Sequence, residues 1–165
     1  MKKTAKTEQL QIRVSPEEQR AIMSWAKAAG MSMSDWMLSR ALSKNSVKFR
    51  ELVVKLAVTK EPGYVLAEIN ELLTRLSASQ LVEAVDEKPD AVLSVYLSNY
   101  VTALVEQACM LKDVQAPEWV KEIKPLPKPV FATDLKSLRM HLLLNAPPAF
   151  RNRNIFIDSS IGARV

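Results

Sequence analysis

The sequence predicts a mainly α-helical protein with one short N-terminal strand, a small helical bundle after it and an extended C-terminal tail. Three observations support this fold class. Within residues 8–14, polar and apolar residues alternate strictly from Gln9 to Val14, which is typical of a half-buried strand. Apolar residues recur at helical spacing through most of residues 16–112. The chain of 165 residues contains 3 glycines, too few for a fold built from many tight hairpins.

The N-terminal strand has two different faces. The polar face carries Gln9, Gln11 and Arg13, and the apolar face carries Leu10, Ile12 and Val14. No second strand follows, and a lone strand cannot satisfy its own backbone N–H and C=O groups. We therefore expect the strand to pair with the same strand of a second copy across a two-fold axis.

Two helices follow the strand, and each has a recognisable start. Ser15 is a good N-cap, Pro16 suits the first helical position, and Glu18 completes a capping box. Gly30 is expected to end this helix in the left-handed conformation, and Ser32 is expected to cap the next helix.

The strand and the two helices together span about 38 residues, too few to enclose a core in one copy. Their apolar residues should therefore form the core of a dimer. The expected dimer-core residues are Leu10, Ile12, Val14, Trp25 and Trp36.

The run LQIRVSPEEQRAIMSWAKAAGMSMSDWMLSRAL resembles the ribbon-helix-helix superfamily of plasmid and phage repressors and antitoxins. The likeness rests on the alternating strand, the Ser-Pro-Glu-Glu helix start and the Gly-x-Ser-x-Ser segment before an aromatic residue. It implies a homodimer or larger oligomer whose paired strands enter the DNA major groove, a binding mode that the groove's width permits. On this basis residues 1–46 are a DNA-binding and dimerisation module.

The resemblance implies that Gln9, Gln11 and Arg13 read base edges. Glutamine can pair with the adenine edge and arginine with guanine O6 and N7. A solvated strand face is the alternative explanation for these residues. Charge favours a nucleic-acid site nearby, because residues 1–50 carry ten Lys or Arg against four Asp or Glu. A lysine-rich tail that serves only solubility would give the same excess.

The resemblance also implies a DNA phosphate at the N-terminus of the second helix, held by Ser32, Met33 and Ser34. Plain capping is the alternative, and Asp35 in the same turn would partly repel a phosphate. A flexible basic arm could add sequence-independent affinity. The residues of this arm are Lys2, Lys3 and Lys6.

Residues 47–114 are expected to form a helical bundle. A helix should run to Val58 and break at Pro62-Gly63, and a second should follow from Val65. A short helix capped by Ser79 and a long helix over residues 91–112 should complete the bundle. Residues 51–114 hold ten acidic and five basic residues, which suits either a protein partner or simple solubility.

Residues 115–165 are expected to form a proline-rich linker, a short helix over residues 133–144 and a partner-docking tail. The tail is apolar, basic and alternating, which favours docking on another protein by strand addition or wrapping. Packing back onto its own bundle is the alternative. The expected partner-binding residues are Phe150, Arg151, Arg153, Ile155, Phe156 and Ile157.

No catalytic or metal-binding constellation is evident, so we expect no enzymatic activity, metal or cofactor. Cys109 is the single cysteine and His141 the single histidine, and both are expected to be structural. The lysine-rich N-terminus lacks the apolar run of a signal peptide, and no segment approaches the length of a membrane helix. These features predict a cytoplasmic protein with no membrane partner.

The preferred functional expectation is a sequence-specific transcriptional repressor that binds a palindromic operator in double-stranded DNA. Under this interpretation it is an autoregulating antitoxin, and its C-terminal region neutralises a toxin protein. The alternative is an accessory DNA-binding protein of a plasmid relaxosome or partition system. In that case the helical region would be an assembly platform.

Overall fold

The computed structural model describes residues 11–41 and 44–158, and the chain divides into two compact units. Unit 1 comprises residues 1–42 and unit 2 comprises residues 43–165. The sequence-based boundary after residue 46 lies close to this division, whereas the boundary after residue 114 has no counterpart. Within the described ranges, no helix is both long enough and apolar enough to cross a bilayer.

Unit 1 contains two helices, α1 (Pro16–Ala28) and α2 (Met33–Ala41). The expected N-terminal strand is not confirmed. Its first residues, 8–10, lie outside the described residues, and residues 11–14 form no strand. Within the described ranges no neighbouring strand pairs with residues 11–14, so the single chain supplies no ladder of hydrogen bonds there.

The caps of α1 are those that the sequence predicts. The Ser15 hydroxyl accepts a hydrogen bond from the Glu18 backbone N–H at 3.2 Å, and the Glu18 carboxylate accepts one from the Ser15 N–H at 2.7 Å. These hydrogen bonds lower the pKa of Glu18. Gly30 has a φ of 65°, and the Met31 N–H bonds to the Ala26 carbonyl at 3.0 Å, which closes the helix by a Schellman cap.

Unit 2 contains seven helices and two short strands within the described residues. The strands are parallel, with Val130 opposite Ile155 and Phe131 opposite Phe156. In chain order the elements are α3 (Lys44–Val58), α4 (Pro62–Arg75), α5 (Ala78–Val85), α6 (Val95–Leu111), α7 (Trp119–Glu122), β1 (Val130–Phe131), α8 (Lys136–Asn145), α9 (Pro148–Arg151) and β2 (Ile155–Phe156).

The core of unit 2 lies between α3, α4, α5 and α6, and its largest side chains are Phe49, Leu56, Ile69, Leu73 and Leu81. These residues recur at helical spacing, so each helix buries one stripe and leaves the opposite face polar. The helical bundle expected for residues 47–114 is therefore present, although it is only part of unit 2.

Three expected helix boundaries are wrong in detail. Pro62 begins α4 and does not simply end α3, because a proline needs no N–H partner in the first turn. Ser77 caps α5 instead of Ser79, and its capping box with Gln80 satisfies two backbone N–H groups. The long helix begins after Ser94, which caps it, and not at residue 91.

The proline-rich segment is not a free linker. The Trp119 side chain is buried, and its indole Nε1 donates to the Val85 carbonyl at 2.8 Å. Val120 and Leu126 are also buried in the same core. Proline restricts the backbone to extended conformations, but an extended segment can still bury its side chains.

The expected docking tail is also corrected, because the described part of it packs into unit 2. Phe150, Ile155 and Ile157 belong to the main core. The Phe150 and Tyr100 rings pack edge to face, with their centroids 5.2 Å apart. Phe156 belongs to a smaller cluster. The alternative weighed from the sequence, packing back onto the bundle, describes residues 146–158 correctly.

Arg153 was expected to bind a partner, but its side chain is 5% exposed. All five of its guanidinium N–H groups donate hydrogen bonds within unit 2. Nε and Nη2 bond to the two carboxylate oxygens of Glu106 at 2.8 and 2.9 Å. Nη2 also donates to the Val120 carbonyl, and Nη1 donates to the carbonyls of Ile123 and of the Asn99 side chain. This arginine therefore links the C-terminal segment to α6 and α7 internally. Of the six expected partner-binding residues, Arg151 is the one that the structure leaves exposed.

Cys109 should be almost inert to thiol reagents in the folded chain. Its side chain is 1% exposed, and burial together with the negative charge of Glu106 raises the pKa of the thiol. A raised pKa lowers the thiolate fraction at neutral pH, and the thiolate is the reactive form. Labelling with a thiol-specific dye should be at least about 100-fold slower in buffer than in concentrated urea. Equal rates in the two conditions would show that this core is open.

Candidate nucleic-acid interface

The segment proposed to read DNA exposes both of its faces in the single chain. Gln11 and Arg13 are exposed on the polar face, and Gln9 lies outside the described residues. Ile12 is 57% exposed and Val14 is 42% exposed on the apolar face. Leu10 also lies outside the described residues. Both apolar side chains of residues 11–14 are therefore exposed to solvent in the single chain.

Unit 1 has almost no core of its own. Among residues 11–38, Ala26 is the one buried residue. The rings of Trp25 and Trp36 lie together, with centroids 5.6 Å apart and planes tilted by 30°. Trp25 is nevertheless 55% exposed, so the pair forms an apolar surface and not a closed core. The structure thus brings together the two tryptophans expected in the dimer core.

The tryptophans border a shallow, open groove of about 550 Å³ that is also lined by Ala28 and Ala29. These two alanines are not among the residues that the sequence predicts for the dimer core. Their positions three and four residues after Trp25 were the available signal, because such residues share one face of a helix. Their small side chains leave the groove open beside the tryptophan rings.

The start of α2 is the place where the resemblance puts a DNA phosphate. The first N–H groups of a helix have no carbonyl partner within it, and here they belong to Met33 and Ser34, both exposed. The positive end of the helix dipole favours an anion at this point.

Ser32 precedes α2 and forms two hydrogen bonds with Asp35. Its hydroxyl accepts the Asp35 N–H at 3.0 Å and donates to the Asp35 carboxylate at 2.8 Å. The hydroxyl is therefore engaged in the cap, and the carboxylate places a negative charge near the site. Lys2, Lys3 and Lys6 lie outside the described residues. Within the described ranges no cluster of metal-ligating side chains occurs.

The site is thus one exposed two-faced segment, one apolar tryptophan pair and one helix start, all within unit 1. Residues 4–80 are similar to NikA-like mobilization proteins. The matching family model is described as Mobilization protein NikA, and the match covers just under half of the chain. Searches of curated proteins and of solved structures gave no match.

The NikA-like match includes all of the described part of unit 1 and extends through α3 and α4 to the first turn of α5. It therefore agrees with the plasmid ribbon-helix-helix resemblance of residues 10–42. It gives no support to a toxin partner.

Proposed function

We propose that this protein is a DNA-binding accessory protein of a plasmid relaxosome. The NikA-like match over residues 4–80 is the observation that carries the proposal, because NikA is itself a ribbon-helix-helix relaxosome protein. This was the alternative, and not the preferred, interpretation of the sequence.

In the proposed assembly, residues 8–14 of two copies pair as an antiparallel ribbon. Leu10, Ile12 and Val14 then turn towards the tryptophans of both copies, which covers the apolar surface that unit 1 exposes. Burying a Val, Leu or Ile side chain is worth about 1.5–3 kcal/mol, so three such residues per copy supply a substantial driving force. Pairing also satisfies the backbone groups that the single chain leaves without a ladder.

The opposite face of that ribbon would carry Gln9, Gln11 and Arg13 from each copy into the major groove. The N-terminus of α2, at Met33 and Ser34, would fix the register by contacting a phosphate, and the Lys2, Lys3 and Lys6 arm would add salt-dependent affinity. Two-fold symmetry of the dimer predicts inverted half-sites in the DNA.

An antitoxin is the weaker candidate. That interpretation depended on a free C-terminal docking segment, and Phe150, Arg153 and Ile155 are instead buried in the core of unit 2. A relaxase gene beside this gene would favour the relaxosome, whereas a small adjacent gene that is toxic when expressed alone would favour the antitoxin.

Arg13→Ala should weaken binding to the plasmid's transfer-origin DNA by about 1–3 kcal/mol. Arg13 is exposed and its charge would face guanine in the groove, so its loss should leave the dimer intact. Binding is measured by fluorescence anisotropy at fixed salt. Arg20→Ala, which removes another exposed arginine from α1, is the matched control and should have a smaller effect. Unchanged affinity of the Arg13 variant would contradict base reading by the strand.

A second experiment tests the relaxosome itself. The tagged full-length protein should co-purify from its host with a relaxase and with transfer-origin DNA. Deleting its gene should lower plasmid mobilization, and the wild-type gene in trans should restore it. Normal mobilization after deletion would refute the proposed role even if the protein binds DNA.

A further inference from the structure

Helix α8 is poorly covered by the residues that the structure describes. Of its ten residues only Leu142 is buried. Met140 is 66% exposed and Leu144 is 71% exposed, and Leu138 and Leu143 are also exposed. A single exposed leucine on a protein surface is ordinary. Four large exposed apolar side chains on one short helix are unusual. We call the outer part of α8, formed by Lys136, Arg139, Met140, Leu143 and Leu144, the α8 surface.

The α8 surface is positively charged at its edge. Lys136 and Arg139 form no ion pair with any described residue, and the Arg139 guanidinium lies 5.1 Å from the centre of the Phe131 ring. His141 faces Asp158 at 3.6 Å. An apolar helix with unpaired cations at its border fits an apolar partner with an acidic border.

The outer face of α5 has the complementary character. Leu81, Ala84 and Val85 turn inwards, which leaves Val82, Glu83 and Asp86 on one exposed face. Val82 is 44% exposed. Neither carboxylate forms an ion pair with a described residue.

The basic residues around α5 do not cancel this negative charge. Arg50 of α3 is paired with Glu87 at 2.6 Å, and Lys88 is paired with Glu122 at 2.8 Å. Glu83 and Asp86 therefore stay available to a cation from another molecule.

We propose that the α8 surface of one copy docks on the outer face of α5 of a second copy. Lys136 and Arg139 then approach Glu83 and Asp86, while Leu144 and Met140 cover Val82. The two helices are about 15 and 12 Å long, so their lengths match.

This contact joins two different surfaces, so it is heterologous and can continue from dimer to dimer. It involves one short helix from each copy, so it is weak in free solution. Two dimers on neighbouring DNA sites would hold these surfaces at high effective concentration, where a weak contact becomes populated. The proposal rests on the proposed function, since it requires DNA-bound dimers, and it names a second copy of this chain as the partner of α8.

Sedimentation equilibrium of the full chain, from micromolar to millimolar concentration, tests the contact. We expect wild-type protein to associate reversibly beyond the dimer. Leu144→Ser should weaken this association by at least about tenfold, because it removes apolar contact from a side chain that its own fold leaves exposed. Val92→Ser is the matched control, because Val92 is 95% exposed and lies outside both surfaces. Equal association of the two variants would overturn the proposal.

Charge reversal identifies the partner surface. The Lys136→Glu/Arg139→Glu variant and the Glu83→Lys/Asp86→Lys variant should each associate at least about tenfold more weakly than wild type. Mixing the two variants, or combining all four changes in one chain, should restore association, because each reversed surface then meets its complement. The Lys60→Glu/Lys128→Glu variant reverses two exposed cations outside both surfaces, so it controls for the net charge of the first variant and should have no effect. Loss without restoration would overturn the proposal, and a melting temperature measured for each variant confirms that it is folded.

Measurements on the wild-type protein separate this inference from the proposed function. If wild-type protein is a dimer that binds single sites but shows no cooperativity on DNA with two adjacent sites, the inter-dimer contact is refuted and DNA binding stands. If wild-type protein is monomeric and does not bind transfer-origin DNA, the proposed function is refuted.

Discussion

Replacing Arg153 by alanine should lower the free energy of unfolding of the chain by about 3–5 kcal/mol. The guanidinium is buried, and it donates hydrogen bonds to the Glu106 carboxylate, two backbone carbonyls and the Asn99 side chain. Its removal leaves a carboxylate and several carbonyls without donors in a poorly hydrated place. Leaving such groups unpaired costs more than the ion pair itself contributes to stability. Urea unfolding followed by circular dichroism measures the change.

Arg151→Ala is the matched control, because this neighbouring arginine is exposed at the end of α9. It should change the free energy of unfolding by no more than about 0.5 kcal/mol. A double-mutant cycle with Glu106→Gln then isolates the pair, and the two changes together should cost less than the sum of the single changes. If Arg153→Ala is no more harmful than Arg151→Ala, the C-terminal segment is not part of the core.

Ile12→Asp should abolish both dimer formation and DNA binding. Ile12 lies on the apolar face of the proposed ribbon, so two-fold symmetry places two new carboxylates in one dimer core. An unpaired buried charge costs several kcal/mol, and the symmetric pair adds mutual repulsion. Unit 1 cannot offset this cost, because Ala26 is the one buried residue among residues 11–38. Analytical ultracentrifugation measures the dimer, and anisotropy with labelled transfer-origin DNA measures binding.

Gln11→Ala provides the contrast, since Gln11 lies one residue away on the opposite face. It should weaken DNA binding while the dimer forms normally. This separation follows from the period of two along a strand, which sends neighbouring side chains to opposite faces. A stable dimer of the Ile12→Asp variant would show that residues 8–14 do not form the dimer ribbon.

The buried C-terminal segment also affects how the protein can be dissected. Truncation before Pro147 would remove Phe150, Ile155 and Ile157 from the core of unit 2, so lost binding to any partner after such a truncation would report unfolding. Point changes on the exposed α8 surface are the better probes of interaction.

The sequence by itself determined the local features of this protein. The cap at Ser15, the capping box with Glu18 and the left-handed Gly30 follow from hydrogen bonds and backbone sterics within a few residues. The apolar stripes of α3 and α4 follow from helical periodicity in the same way. The N-terminal strand stays a prediction, because its pairing depends on a second chain.

Only the tertiary structure decided what the apolar segments contact. Periodicity shows that one face is buried, but it does not show whether the covering surface is the same chain or another. The proline-rich segment at Trp119 has the sequence pattern of a linker, and the tail at Ile155 has that of a docking peptide. Both segments nevertheless bury side chains in the core of unit 2. In the sequence, Arg153 is one of the residues that make the tail basic. In the structure its guanidinium is buried and paired with Glu106, which lies 47 positions earlier, and no local sequence pattern can reveal such a pairing.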